Sequence, residues 1–195
     1  MKEFKESPSS DINMRIAQRV ASLRAEREMS LEALATRCNV SRSMISLIER
    51  GESSPTAVVL EKLAKGLGVT LASLFEDPRE DASPLARRSE QLEWCDPQSG
   101  YLRRNVSPPH FRSPIQIVEV VFPAGASVAY EANPRDSAVQ QQIWVLEGSM
   151  DISAGGQRYS LHAGDCLAMR EDQAVHFNNP TDAAAHYVVV INSDF

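Results

Sequence analysis

The chain has 195 residues, enough for one large domain or two small ones, and its 43% hydrophobic and 24% charged residues are those of an ordinary globular protein. No apolar stretch approaches the roughly 18–20 residues that cross a bilayer, and MKEFKESPSSD at the start lacks the apolar core of a secretory signal. The net charge of −6 argues against a nucleic-acid partner only until it is divided: residues 1–76 carry 11 Lys and Arg against 10 Asp and Glu, leaving 9 against 16 for residues 77–195. The acidic excess therefore belongs to the second half, and cation placement rather than net charge decides DNA binding. Three cysteines, Cys38, Cys95 and Cys166, stand far apart without CxxC spacing. An odd, scattered set predicts reduced thiols in a cytoplasmic protein, not a disulfide frame or a zinc site.

From Asp11 to Phe75 the apolar period is helical. Ile12, Ile16, Val20 and Leu23 recur at steps of three and four, one buried stripe. Ser30 precedes LEALA as an N-cap, and Asn39 can take the left-handed angle that closes that helix. Ser41 caps a second helix, SRSMISLIER, ended by Gly51; VVLEKLAKGLG follows, and LASLFED makes a last short turn. Five short helices joined by tight turns predict a compact all-α domain over residues 11–76. The pair of helices around Asn39 is locked by Leu34, Ala35, Val40, Ile45 and Ile48, leaving Arg42, Ser43 and Ser46 on a polar face with Leu47 between them. Such a face fits the major groove, where each base pair presents its own donor and acceptor pattern.

Residues 14–75 resemble the lambda-repressor-like (Xre-type) helix-turn-helix family, with LEALATRCNVSRSMISLIERGESSPTAVVLEKLAKGLGV following its pattern nearly throughout. The resemblance implies that Arg42 and Ser43 reach bases beside Leu47, and that Arg50 and the start of the Ser30–Leu31 helix hold phosphates. It also implies a partly buried ion pair between Arg24 and Glu49. Leu47 departs from the family, where a polar side chain is common; it could touch a thymine methyl or make no contact. A domain this small reads only a few base pairs, so a homodimer on a palindromic double-stranded operator is expected. No coiled coil is evident, which leaves the second half as the dimer contact.

Residues 77–92 read as a linker: DPREDASPLARRSE has two prolines, mixed charges and little to bury. Over 93–195 the period falls to about two. Strands are predicted at 115–122, 141–146, 150–153, 159–161, 166–169, 175–177 and 187–191, punctuated by Pro-Ala-Gly, Glu-Gly, Gly-Gly and Ala-Gly-Asp turns. Many short strands with regular turns suggest a closed barrel or sandwich. WVLEGSMDIS, GGQRYSLHAGD and HFNNP resemble the cupin family over roughly residues 105–193. The fold class that results is α+β in two domains: an all-α five-helix lambda-repressor-like head and an all-β cupin (jelly-roll) barrel.

Many cupins hold a metal with three His and a Glu. The resemblance maps those positions onto Arg135, Ser137, Gln141 and Val175, with His176 one residue beyond Val175 and, by strand alternation, facing away from the interior. No metal, no other cofactor and no catalytic residue is expected, and the histidines His110, His162, His176 and His186 are scattered. What remains is a pocket. Gln141, Ile143 and Val145 share one strand face and Gln140, Gln142 and Trp144 the other; the first set should line the interior, with Val175 and Phe177 opposite. Arg135 could clamp a carboxylate, aided by Ser137 and Gln141, or could be a solvated loop residue beside Asp136. The expected function is a DNA-binding regulator that senses a small metabolite, an amino acid or related carboxylate. A barrel that only dimerises, or a cupin enzyme fused to a DNA-binding head, are the alternatives.

Overall fold

A computed structural model of the chain describes residues 8–75, 83–109, 111, 113–132, 139–170 and 172–192, with side chains from Ile12 onward. Two compact units divide the chain, residues 1–81 and 82–195.

The first unit holds α1 (Pro8–Glu26), α2 (Leu31–Cys38), α3 (Arg42–Glu49) and α4 (Ala57–Leu67), followed by a 3-10 turn at Ala72–Phe75. Each of the three later helices starts on a hydroxyl. Ser30 Oγ accepts from the Ala33 amide at 3.0 Å, Ser41 Oγ from Met44 at 3.2 Å, and Thr56 Oγ1 from Val59 at 3.4 Å. Asn39 closes α2 in the left-handed region (φ 53°), and Gly51 turns the chain out of α3 at φ +69°. The apolar stripe of α1 (Ile12, Ile16, Val20, Leu23) is buried together with Leu34, Ile45, Ile48, Leu60, Leu63 and Leu67. Gly66 lets α4 approach α2 closely, since a Cβ there would stand 2.6 Å from Cys38 Cβ.

The described residues of this unit contain four α-helices, not five. The last expected helix is the four-residue 3-10 turn, whose Ala72, Leu74 and Phe75 are all buried. A segment this short cannot recover the entropy of nucleating an α-helix. It is held instead by core packing and by Thr70 Oγ1, which accepts from the Ser73 amide at 3.2 Å.

The second unit is a pair of facing antiparallel sheets. Its strands are β1 (Glu93–Cys95), β2 (Leu102–Asn105), β3 (Ile115–Phe122), β4 (Ser127–Tyr130), β5 (Gln140–Glu147), β6 (Ser149–Ala154), β7 (Gln157–His162), β8 (Cys166–Arg170), β9 (Val175–Asn178) and β10 (Ala185–Asn192). One sheet runs β1-β2-β3-β10-β5-β8 and the other β4-β9-β6-β7. The seven anticipated strands all form, most of them a residue or more longer at one or both ends, while β1, β2 and β4 escape a reading by hydrophobic period.

Register fixes which side chains face inward. Tyr187 pairs with Val120 and Val145, Val189 with Val118 and Ile143, and Ile191 with Gln116 and Gln141. From the other sheet Val128, Met150, Ile152, Ala154, Leu161, Val175 and Phe177 complete the core. The Asn-Asn-Pro corner is tied by Asn179, fully buried, whose Nδ2 donates to the carbonyls of Phe122 (3.2 Å), Pro123 (3.0 Å) and Ala183 (2.8 Å). Its Oδ1 accepts from the Thr181 amide and hydroxyl at 3.0 and 2.7 Å, so this buried amide is satisfied on both ends.

Candidate nucleic-acid interface and barrel interior

The turn between α2 and α3 presents the helix-turn-helix. Arg42 and Ser43 lie exposed in the first turn of α3, Ser46 and Leu47 half-buried one turn on, and Ser30 exposed and Leu31 half-buried at the start of α2. Arg42 has no hydrogen-bond or ionic partner among the described residues. Ser43 Oγ lies 3.2 Å from Ser41 Oγ.

The angle of α3 is held from behind. Arg24 Nε donates to Glu49 Oε1 at 2.7 Å and Nη2 to Oε2 at 2.8 Å, while Nη1 reaches the Met29 carbonyl at 2.9 Å. Both side chains are largely shielded, and the hydrogen bond to Glu49 raises the Arg24 pKa, keeping the guanidinium charged. One bidentate pair thus ties α1 to the end of α3 and to the turn before α2.

Arg50 is engaged within the protein. Its Nε and Nη2 donate to the two carboxylate oxygens of Glu52 at 2.8 and 2.9 Å, and Nη1 bonds Ser46 Oγ. The pair is exposed, so it is weak against water and screened by salt. A phosphate could displace Glu52 from the same fork.

In the barrel, Ile143, Val175 and Phe177 are buried on the inner faces and Gln141 is half-buried beside them, in register with Met169 and Ile191. Arg135 and Ser137 lie outside the described residues. His176 points outward, exposed, with Nε2 2.6 Å from Ser127 Oγ. Among the described residues no group of three or more His, Cys, Asp or Glu side chains could hold a metal. The inner positions at Gln141 and Val175 offer a neutral amide and an isopropyl group, a poor donor set for the metals cupins carry.

Six aromatic rings instead form a continuous chain across the interior. Trp94 meets Tyr101 edge-on at 5.9 Å, Tyr101 meets Phe122 at 5.9 Å, and Phe122 meets Tyr187 at 6.3 Å. Tyr187 stacks on Phe177 of the opposite sheet (6.3 Å, 10° between planes), and Phe177 meets Tyr130 at 5.9 Å. The hydroxyls of Tyr101 and Tyr130 lie 3.3 Å apart, closing the chain into a ring. Burial pushes the Tyr187 phenol pKa up, the Tyr101 phenol adds to the rise and the Arg103 guanidinium opposes it.

Strand β2 contributes polar groups to this interior that a reading of the sequence passes over. Arg103 pairs with Trp94 and Val120, and Asn105 with Val118, so both share the inward face. Arg104, between them, faces out: it pairs with Glu119, whose other oxygen lies 2.6 Å from His186 Nε2. Glu93 lies 3.8 Å from Arg104 as well. The only sequence signal for this arrangement is alternation within Leu-Arg-Arg-Asn, which must send one of two adjacent arginines inward.

A helix-turn-helix with an exposed second helix, followed by a two-sheet jelly roll, defines a class: DNA-binding regulators that carry a cupin. A helix-turn-helix family model matches residues 20–74 and a cupin domain model matches residues 118–191. The chain is 28% identical over 177 residues to the HTH-type transcriptional regulator SutR of Escherichia coli (strain K12), covering 87% of this chain and 90% of that protein. Control protein C.MunI of Mycoplasma sp is 38% identical over 68 residues, 34% of this chain and 92% of that one. The crystal structure of an HTH_3 family transcriptional regulator from Vibrio cholerae superposes with a TM-score of 0.79 at 26% identity, over 96% of this chain and 99% of that chain. The chain belongs to the lambda-repressor-like (Xre-type) helix-turn-helix transcriptional regulators with a C-terminal cupin domain.

Proposed function

We propose that the chain is a sequence-specific, homodimeric regulator whose barrel senses a small metabolite and does no catalysis. In this reading residues 11–76 read DNA, 77–92 link, and 93–195 dimerise and bind the effector. The observation that carries the DNA assignment is the rigid presentation of α3: Arg24 clamps Glu49 at one end while Arg42 and Ser43 stand free of core contacts at the other. Arg42 and Ser43, with Ser46 and Leu47 beside them, meet base edges. Ser30, Leu31 and Arg50 meet phosphates, Arg50 by exchanging Glu52 for a phosphate oxygen.

One recognition helix spans too few base pairs for specificity, so two copies are required on half-sites about 34 Å apart. The outer face of the six-stranded sheet offers the contact. Ile115, Ile117, Val121 and Trp144 are exposed there, and Val188 and Val190 lie between them by register. Apolar side chains of this kind, set around the Arg104–Glu119–His186 cluster, can pack against their own copy about a two-fold axis. A sensing role is supported by polar side chains set inside an otherwise apolar barrel, the usual make-up of a small-ligand site. The absence of a metal donor set at Gln141 and Val175 favours sensing over chemistry. No helix among the described residues is long and apolar enough to cross a membrane.

The test is selection of operator sequences from a random duplex pool, followed by anisotropy titrations at two salt concentrations. Arg42→Ala should lose about 1–3 kcal/mol of discrimination while retaining non-specific binding. Arg50→Ala should weaken every duplex alike and reduce the salt slope by about one. Equal losses from both variants on selected and random DNA would sink the assignment. Trp144→Glu should dissociate the dimer in sedimentation and lose the operator with it.

A further inference from the structure

The barrel interior contains an arginine two of whose nitrogens hold nothing among the described residues. Arg103 is 8% exposed, yet its Nε and Nη2 find no hydrogen-bond acceptor among the described residues. A buried guanidinium without a counter-charge is costly, and groups of this kind are nearly always paired. These two nitrogens form one edge of the guanidinium, the edge whose parallel N–H groups match the two oxygens of a carboxylate. The same protein uses that edge twice: Arg24 grips Glu49 and Arg50 grips Glu52, each through Nε and Nη2. Two residues along the strand, on the same inward face, Asn105 Oδ1 is also buried without a partner among the described residues. A side-chain amide oxygen accepts a hydrogen bond from a hydroxyl or an amine.

We propose that Arg103 and Asn105 form the effector site of the barrel, and that the effector is a small amino or hydroxy carboxylic acid. The carboxylate takes the Nε/Nη2 edge of Arg103 and a neighbouring hydroxyl or ammonium group donates to Asn105. Trp94, in register beside Arg103, and the aromatic ring closed by Tyr101 and Tyr130 provide apolar walls for the rest of the molecule. The acid supplies the missing negative charge, so binding satisfies both orphaned groups at once and stabilises the barrel. This inference rests on the sensor reading and names its chemistry.

Both tryptophans of the chain, Trp94 and Trp144, belong to the barrel, so fluorescence-monitored melting of the full-length protein follows this unit alone. The probes are the individual L-amino acids and L-2-hydroxy acids at millimolar concentration, each against its carboxamide. At least one acid should raise the melting temperature of the wild type while its carboxamide does not. Arg103→Met should melt at or above the ligand-free wild type, because it removes an unpaired buried charge, and should lose the response to the acid. Arg103→Lys keeps the charge without the fork and should need on the order of tenfold more acid for the same shift. A carboxamide as effective as its acid overturns the proposal. So does an Arg103→Met protein that melts well below wild type and still responds, since Arg103 would then be structural. Native mass spectrometry of the purified protein separates the two levels. A bound neutral or cationic molecule overturns the Arg103 assignment and leaves the sensor reading standing. A bare chain with no melting response to any acid, or to polyamines and sugars run as controls, overturns both.

Discussion

Arg24 in the DNA-binding unit and Arg103 in the barrel are both drawn out of water, and their surroundings are opposite. Arg24 has three acceptors within 2.9 Å, two of them on Glu49. Among the described residues Arg103 has none for Nε or Nη2. The contrast extends to the units around them. The head closes its helix ends with its own side chains and pairs its shielded charge, as a reader of DNA must if α3 is to arrive pre-set. The barrel packs an aromatic ring and, among the described residues, leaves two donors and an acceptor unmatched inside it. A shielded charge that the fold itself pairs adds stability belonging to the fold, whereas an unpaired interior charge ties stability to what is bound.

That difference can be sharpened by replacing charges one at a time and following unfolding in denaturant. The largest effect is expected next door to Arg103. Arg104→Met strips the buried partner from Glu119, leaving a largely shielded carboxylate with only His186, and should cost about 3 kcal/mol. Arg103→Met, one residue away and of nearly the same volume, should cost nothing; two equal losses would erase the distinction between the inner and outer faces of β2. Arg24→Ala comes next. It unpairs Glu49 and frees the Met29 carbonyl, for about 2 kcal/mol in the head and a looser α3 in operator titrations. A smaller loss, about 1 kcal/mol, is expected for Ser30→Ala, which removes the N-cap of α2; a null result there would show that packing alone holds the helix.

The smallest effect is a pH dependence in the barrel. The Ser160 hydroxyl at 2.6 Å and Arg158 at 2.5 Å hold the Asp151 carboxyl below its ordinary pKa. A depressed carboxylate contributes stability that is present above its unfolded pKa of about 3.9 and is lost as pH falls through the folded value. Asp151→Asn should therefore lower barrel stability slightly at neutral pH and converge with wild type in acid. Parallel acid limbs for the two proteins would remove Asp151 from the account.

Much of the head was legible residue by residue, because its signals are local. Ser30, Asn39, Ser41 and Gly51 act on backbone groups within four residues of themselves, and the buried stripe of α1 repeats within one helix. The expected fifth helix is instead a four-residue 3-10 turn, shaped by the core it plugs rather than by its own turns. In the barrel, seven strands showed in their alternation. β1, β2 and β4 did not, being three or four residues long, too short to show a period, and in β2 with polar members facing in. The interior reading at Gln141, Ile143, Val175 and Phe177 follows from alternation once β5 and β9 are placed. The positively charged group inside the barrel does not follow, because family spacing points to Arg135 while Arg103 sits in a run with no visible period.

The sequence by itself determined the helical and the strand-rich stretches, the helix ends, the exposed polar start of α3 and most of the strands, since each is written in contacts between residues a few positions apart. Only the tertiary structure decided which of two adjacent buried arginines faces the barrel interior. That choice is made by the pairing of Arg103 with Val120 and of Arg104 with Glu119, some sixteen residues away along the chain, and a shift of one residue in that register would exchange them.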